Sequence, residues 1–106
     1  MILLMGTNLY FLDQSFARIS SGSCDSHGME IITSEIQCER AAQFLYLSDT
    51  SPMIYGREGR PHGCVYASDN KLTWIDPTSA SFASAACGST QGSWSFDCLC
   101  FRGGNH

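Results

Sequence analysis

Apolar positions recur with two different periods along this chain. From Asn8 onward, Leu9, Leu12, Phe16 and Ile19 fall at i, i+3, i+7 and i+10, while Asp13, Gln14 and Arg18 lie elsewhere on the wheel. That spacing predicts an amphipathic helix with Thr7 or Asn8 as its N-cap. Its polar face carries no lysine, so packing on protein is favoured over a membrane surface. Ser20-Ser21-Gly22-Ser23 follows as a flexible linker. The chain thus divides into an apolar arm and linker at 1–22, a cysteine-bearing module at 23–102 and a mobile tail at 103–106.

The module opens with a second helical pattern. Thr33 or Ser34 is the N-cap, and Ser34 with Gln37 makes a capping box. Cys38, Ala41, Ala42 and Leu45 share one face. The two alanines let that face approach a sheet closely. Ser48-Asp49-Thr50-Ser51-Pro52 ends the helix.

The period then changes to two. Residues 63–67 and 71–75 read as strands joined by the three-residue turn Ser68-Asp69-Asn70, with Asn70 in the left-handed conformation. This register sets Cys64 opposite Trp74 and Tyr66 opposite Leu72, giving one apolar face. A turn one residue shorter or longer would instead turn Val65, Ala67, Leu72 and Trp74 inward. The first register buries the cysteine beside the tryptophan and is preferred. Residues 76–92 are small and polar and read as a long loop pinned by Cys87. In "SWSFDCLCFR" a further strand places Trp94, Phe96, Cys98 and Cys100 on one side. Cys98 and Cys100 must then reach different partners. The expected fold class is α+β: a small disulfide-rich domain, with one main helix packed on an antiparallel sheet of about three strands and an N-terminal amphipathic arm.

Composition sharpens this reading. The chain has 106 residues, which bounds it to one domain with a modest core. Its six cysteines, Cys24, Cys38, Cys64, Cys87, Cys98 and Cys100, are an even set in a short chain, which reads as a disulfide framework in an oxidising compartment. Six cysteines allow fifteen connectivities, and spacing does not choose among them. The start of the chain has no basic n-region and no small-residue cleavage site, so any targeting segment lies upstream. The net charge is −4, and the six basic residues form no stripe, which argues against nucleic acid.

Chemistry-bearing patterns are sparse. Cys24 to His27 has C-x2-H spacing and Cys98 to Cys100 has C-x-C, neither of which is a zinc knuckle. No G-x-S-x-G elbow singles out a serine, and His27 and His62 both sit in turn-like loops. Glu35 and Glu39 share a helix surface as solvated carboxylates. Calcium-loop, P-loop and dinucleotide fingerprints are missing. No catalytic residue, metal or cofactor is therefore expected. One loop stands out: "YGREGRPHG" gathers Tyr55, Arg57, Arg60 and His62 beside the aromatic hairpin, a composition suited to anions or sugars.

"SCDSHGMEIITSEIQCERAA", "GRPHGCVYASDNKLTWIDP" and "FDCLC" together resemble a family of small six-cysteine domains abundant in dinoflagellates and related algae. The resemblance covers residues 23–101. It implies an extracytoplasmic or organelle-lumen protein and offers no catalytic residues. The layout is also weakly similar to PAN/apple-like modules.

Three functions compete. The first is a non-enzymatic structural or interaction subunit, for example a lumenal accessory of an algal photosynthetic membrane complex (a photosystem). It would dock on protein subunits through Leu9, Leu12, Phe16 and Ile19, touching the membrane only indirectly. The second is a secreted carbohydrate- or glycoprotein-binding module using Tyr55, Arg57, Arg60 and His62. The third, a small hydrolase, requires a histidine beside a serine and a carboxylate in a pocket.

Overall fold

The structure, a computed structural model, describes residues 15–103. Its strands are β1 (Phe16–Ile19), β2 (Glu30–Ile31), β3 (Met53–Ile54), β4 (Gly63–Ala67), β5 (Leu72–Ile75), β6 (Ser89–Gln91) and β7 (Trp94–Phe101). A 3-10 turn spans Asp25–His27, and one helix, α1, spans Glu35–Phe44. The main path through the sheet is β1-β7-β4-β5-β3, and β2 and β6 also pair with β7.

Strand β7 organises this sheet. Its residues 98–101 pair with β1 and 96–99 with β4, so these two lie on opposite edges. β2 meets Cys100 and Phe101, and β6 meets residues 94–96. Each edge of β7 therefore holds two strands end to end: β6 then β1 on one side, β4 then β2 on the other. This corrects the expectation of about three antiparallel strands under one main helix. Among the described residues the sheet has seven strands and is mixed, because β3 runs parallel to β5, and the one α-helix is short. The extra strands are two to four residues long. They gain order from the backbone edges of β7 and, for β3, of β5.

The hairpin follows the preferred register. Cys64 lies opposite Trp74 and Tyr66 opposite Leu72. Ala67 N–H donates to Lys71 O at 3.0 Å, and Asn70 has φ +65°. Helix α1 begins as its capping pattern requires. Ser34 Oγ accepts from Gln37 N–H at 3.1 Å, while Gln37 Oε1 accepts from Thr33 N–H at 3.0 Å. It stops earlier than the serine-rich segment. Tyr46 takes φ +56°, Tyr46 N–H donates to Gln43 O, and Leu47 N–H donates to Ala42 O. Those two bonds form a Schellman end with tyrosine where glycine is usual.

Strand pairing sorts side chains onto two faces. On one, Phe16, Cys64, Tyr66, Leu72, Trp74 and Leu99 pack against Ile32 and the Cys38, Ala41 and Ala42 face of α1. The Cys38–Cys64 bridge ties helix to sheet on this side. On the other, Ile19, Cys98 and Cys100 pack with Cys24, Cys87 and Met29, and Val65, Ala67 and Phe96 form a second cluster. Among the described residues no α-helix lies over this face. Loops cover it, held by Cys24–Cys100 and Cys87–Cys98. Cys98 and Cys100 do reach different partners. Cys87 N–H donates to Gly22 O at 2.8 Å where the two loops cross. Gly88 sits at that crossing with φ +85°, and a Cβ there would overlap the Ser20 carbonyl. Three disulfides and no free cysteine fit an oxidising, extracytoplasmic environment.

The helix expected from residue 8 does not run through Phe16 and Ile19. Both belong to β1 and are buried within this domain. Residues three apart on a strand point to opposite faces, and here both faces are covered. Burial on both sides thus produces a spacing that imitates a helical stripe. Leu9 and Leu12 lie outside the described residues, as does the tail beyond Gly103.

Candidate functional site

The loop-covered face is left open at the end nearest the hairpin turn. There, Phe96 on β7, Ala67 on β4 and Thr73 on β5 form the floor of a groove of about 260 Å3. Met53, Tyr55, Arg60, Asp69, Lys71 and Trp94 complete its lining. Phe96 is 2 % exposed, whereas Trp94 and Tyr55 are 47 % and 42 % exposed. A buried aromatic floor with two exposed aromatic flanks is thus set within a polar rim.

Local sequence explains each wall. The turn Gly92-Ser93 joins β6 to β7, with Gly92 at φ +65°, and brings Trp94 to the start of the strand. Strand alternation then places Trp94 on the same face as Phe96. Tyr55 follows β3 at the outer edge of the sheet. Arg60 reaches in from the loop between β3 and β4. Its guanidinium lies 4.5 Å from the Phe96 ring centroid and 5.1 Å from that of Tyr55. Arg60 Nε donates to Gln91 Oε1 at 3.1 Å, and Gln91 Nε2 donates to Glu58 O at 2.8 Å. One glutamine on β6 therefore fixes both the Arg60 side chain and the turn that carries it. Arg57 Nη1 donates to Tyr55 Oη at 3.4 Å.

The structure gathers only part of the loop singled out in the sequence. Tyr55 and Arg60 line the groove, and Arg57 braces Tyr55 from outside it. His62 faces a different cavity of about 520 Å3, lined by Cys24, Met29, Ile31, Pro61 and Cys87 among others. Its ring stacks edge-on against Phe82 at 4.9 Å, with Nε2 2.7 Å from the Phe82 carbonyl. Ser84 also lines that cavity, but its hydroxyl accepts from the His62 backbone N–H rather than meeting the ring. His27 Nε2 lies 2.9 Å from Ser21 O and 3.5 Å from Ser21 Oγ, and among the described residues no carboxylate is hydrogen-bonded to either histidine ring. Of the four arm residues, Phe16 and Ile19 are buried on opposite faces of the sheet.

Trp94 and Gln91 were missed as site residues. The Gly-Ser dipeptide between "STQ" and "WSF" is a two-residue hairpin signal that predicts both positions. The period-two stripe places Trp94 on one side with Phe96 and Cys98 and does not by itself tell a buried position from an exposed one. Trp94 stays exposed because the disulfide-pinned loops cover only the later half of β7.

Among the described residues no group of three or more histidine, cysteine, aspartate or glutamate side chains is placed to hold a metal ion. The same residues include no helix long and apolar enough to cross a membrane. Fold and site together define a small, three-disulfide, sheet-centred domain with an aromatic-walled surface groove. No protein-family model matches this chain, and no curated protein or solved structure does.

Proposed function

We propose that this domain is a non-enzymatic, extracytoplasmic recognition module that holds a sugar unit of a glycan or glycoprotein in the Trp94–Tyr55 groove. The observation that carries this reading is the pair of exposed aromatic rings flanking a groove floored by buried Phe96. Pyranose rings present C–H faces that stack on indole and phenol rings, while their hydroxyls need charged or polar partners at the edge. Asp69, Lys71 and Arg60 supply that rim. The volume lies just under the ~300–1,000 Å3 of ordinary small-molecule sites, which suits one or two rings of a longer chain.

Isothermal titration calorimetry with neutral and acidic oligosaccharides tests the proposal. Trp94→Ala should weaken binding at least tenfold and leave the melting temperature within a few degrees, because the side chain is half exposed. Saturable binding that survives this substitution would place the site elsewhere.

A second reading is an accessory subunit of a larger assembly, in keeping with the resemblance to six-cysteine algal domains. It draws on exposed Ile36, Phe44, Ile54 and Tyr46, the last at 94 % exposure. Its docking arm is reduced to Leu9 and Leu12, since Phe16 and Ile19 pack internally. Co-purification from the native source after deleting residues 1–14 separates the two readings: loss of partners favours the subunit, and unchanged association disfavours a docking arm.

A further inference from the structure

The groove contains a cation that is positioned but not neutralised. The Arg60 guanidinium lies against the rings of Phe96 and Tyr55, and its Nε is committed to Gln91. Among the described residues its two Nη atoms donate to no protein acceptor, and no carboxylate lies within ion-pair distance of it or of Lys71. The one ion pair among those residues, Arg18 with Asp97, lies on the helix-covered face. The groove thus presents two cations against the single carboxylate of Asp69, in a chain whose net charge is −4. A guanidinium packed against two rings and anchored through Nε offers its Nη edge as a preformed fork for a planar or tetrahedral anion.

We propose that the groove selects an acidic sugar, with Arg60 as the specificity-determining residue and Lys71 as supporting charge. This inference rests on the sugar-binding reading above. The ligand group is a carboxylate or a sulfate ester. It would meet the Nη edge of Arg60 while the sugar ring stacks on Trp94. Gln91 is the positioning residue, because it fixes the direction in which that fork opens.

Isothermal titration with three probes of matched chain length tests this: an oligogalacturonate, a sulfated galactan oligosaccharide and the corresponding neutral galactan oligosaccharide. At low salt at least one acidic probe should bind tenfold or more tighter than the neutral one, and whichever does so names the acidic group. That preference should shrink severalfold at 0.5 M NaCl. Arg60→Gln should reduce it below threefold, lowering acidic-probe affinity far more than neutral-probe affinity, and Arg60→Lys should restore it in part. If Arg60→Gln does not fold, Lys71→Gln and the salt titration of the unaltered protein read the same charge effect. Equal binding of acidic and neutral probes overturns acidic selection and leaves sugar binding standing. Absence of saturable binding to all three overturns both.

Discussion

The two faces of the sheet solve the same problem by different means. One face is covered by an α-helix. Ala41 and Ala42 bring α1 close enough for Leu72, Leu99 and Phe16 to pack into a continuous cluster, and the Cys38–Cys64 bridge reinforces it. The other face is covered by loops that have little apolar surface of their own. Their order comes from two bridges into β7, from one crossing point at Gly88, and from the small side chains that fit beneath them. The comparison teaches where a groove can form. A helix covers the length it spans, whereas a stapled loop covers only the neighbourhood of its staple. The sheet stays uncovered beyond Phe96, and Trp94 stands there.

Removing staples should break the comparison most sharply. In the loop-closure account, separations of 76, 26 and 11 residues for Cys24–Cys100, Cys38–Cys64 and Cys87–Cys98 correspond to about 4.5, 3.5 and 2.8 kcal/mol. The first is an upper bound, because that loop encloses the other two bridges. Replacing both Cys24 and Cys100 by serine should therefore cost up to about 4.5 kcal/mol in urea unfolding. Replacing Cys38 and Cys64 by alanine should cost less, because α1 still packs through Ala41 and Ala42. The reverse order would mean that the helix depends on its bridge as much as the loops depend on theirs.

Packing substitutions come next. Leu72→Ala, beneath the helix, should cost about 2–5 kcal/mol by the usual cavity argument. Gly88→Ala should cost at least about 2 kcal/mol, because it combines a positive φ with backbone overlap. A Gly88→Ala protein as stable as the parent would show that the loop crossing moves freely. A smaller effect of opposite sign is expected at the end of α1. Tyr46→Gly should stabilise by about 0.5–1 kcal/mol, since glycine takes the left-handed conformation without the Cβ penalty. Thermal unfolding measures all three.

The smallest effect is electrostatic. Thr78 donates to Asp76 Oδ1 from its backbone N–H at 2.9 Å and from its hydroxyl at 2.8 Å. Those bonds hold the Asp76 carboxyl below its usual value of 3.8. The native state thus binds fewer protons than the unfolded chain between the lowered value and 3.8. The contribution of Asp76 is fully present above that window and is lost as pH falls through it. Unfolding measured from pH 5 to 2 should show this as a slightly shallower slope in Asp76→Asn than in the parent.

The helix cap and the hairpin were legible because each is specified locally. Ser34 and Gln37 meet within one turn, and Asn70 together with the alternation around it sets the register of Cys64 and Trp74. The rest depends on neighbours distant in sequence. β2 and β3 are each two residues long and exist only because β7 and β5 offer free backbone edges. β1 looked helical because Phe16 and Ile19 are buried on opposite sides. The bridges follow from strand register, which spacing alone does not contain. Of the candidate site, Tyr55 and Arg60 were visible as a basic aromatic loop. Trp94 and Gln91 join them only through the β6–β7 hairpin, and His62 leaves because its ring is held by the Phe82 carbonyl.

Strand β7 follows, in chain order, every strand that pairs with it. During synthesis the earlier segments therefore emerge with no central ladder to join, and two of the three bridges await Cys98 and Cys100. Cys38 and Cys64 alone can be oxidised to their native pairing before the final segment arrives. Native pairing of the other two bridges is accordingly a late event in synthesis, and an oxidase that crosslinks too early meets four thiols and only one correct pair among them.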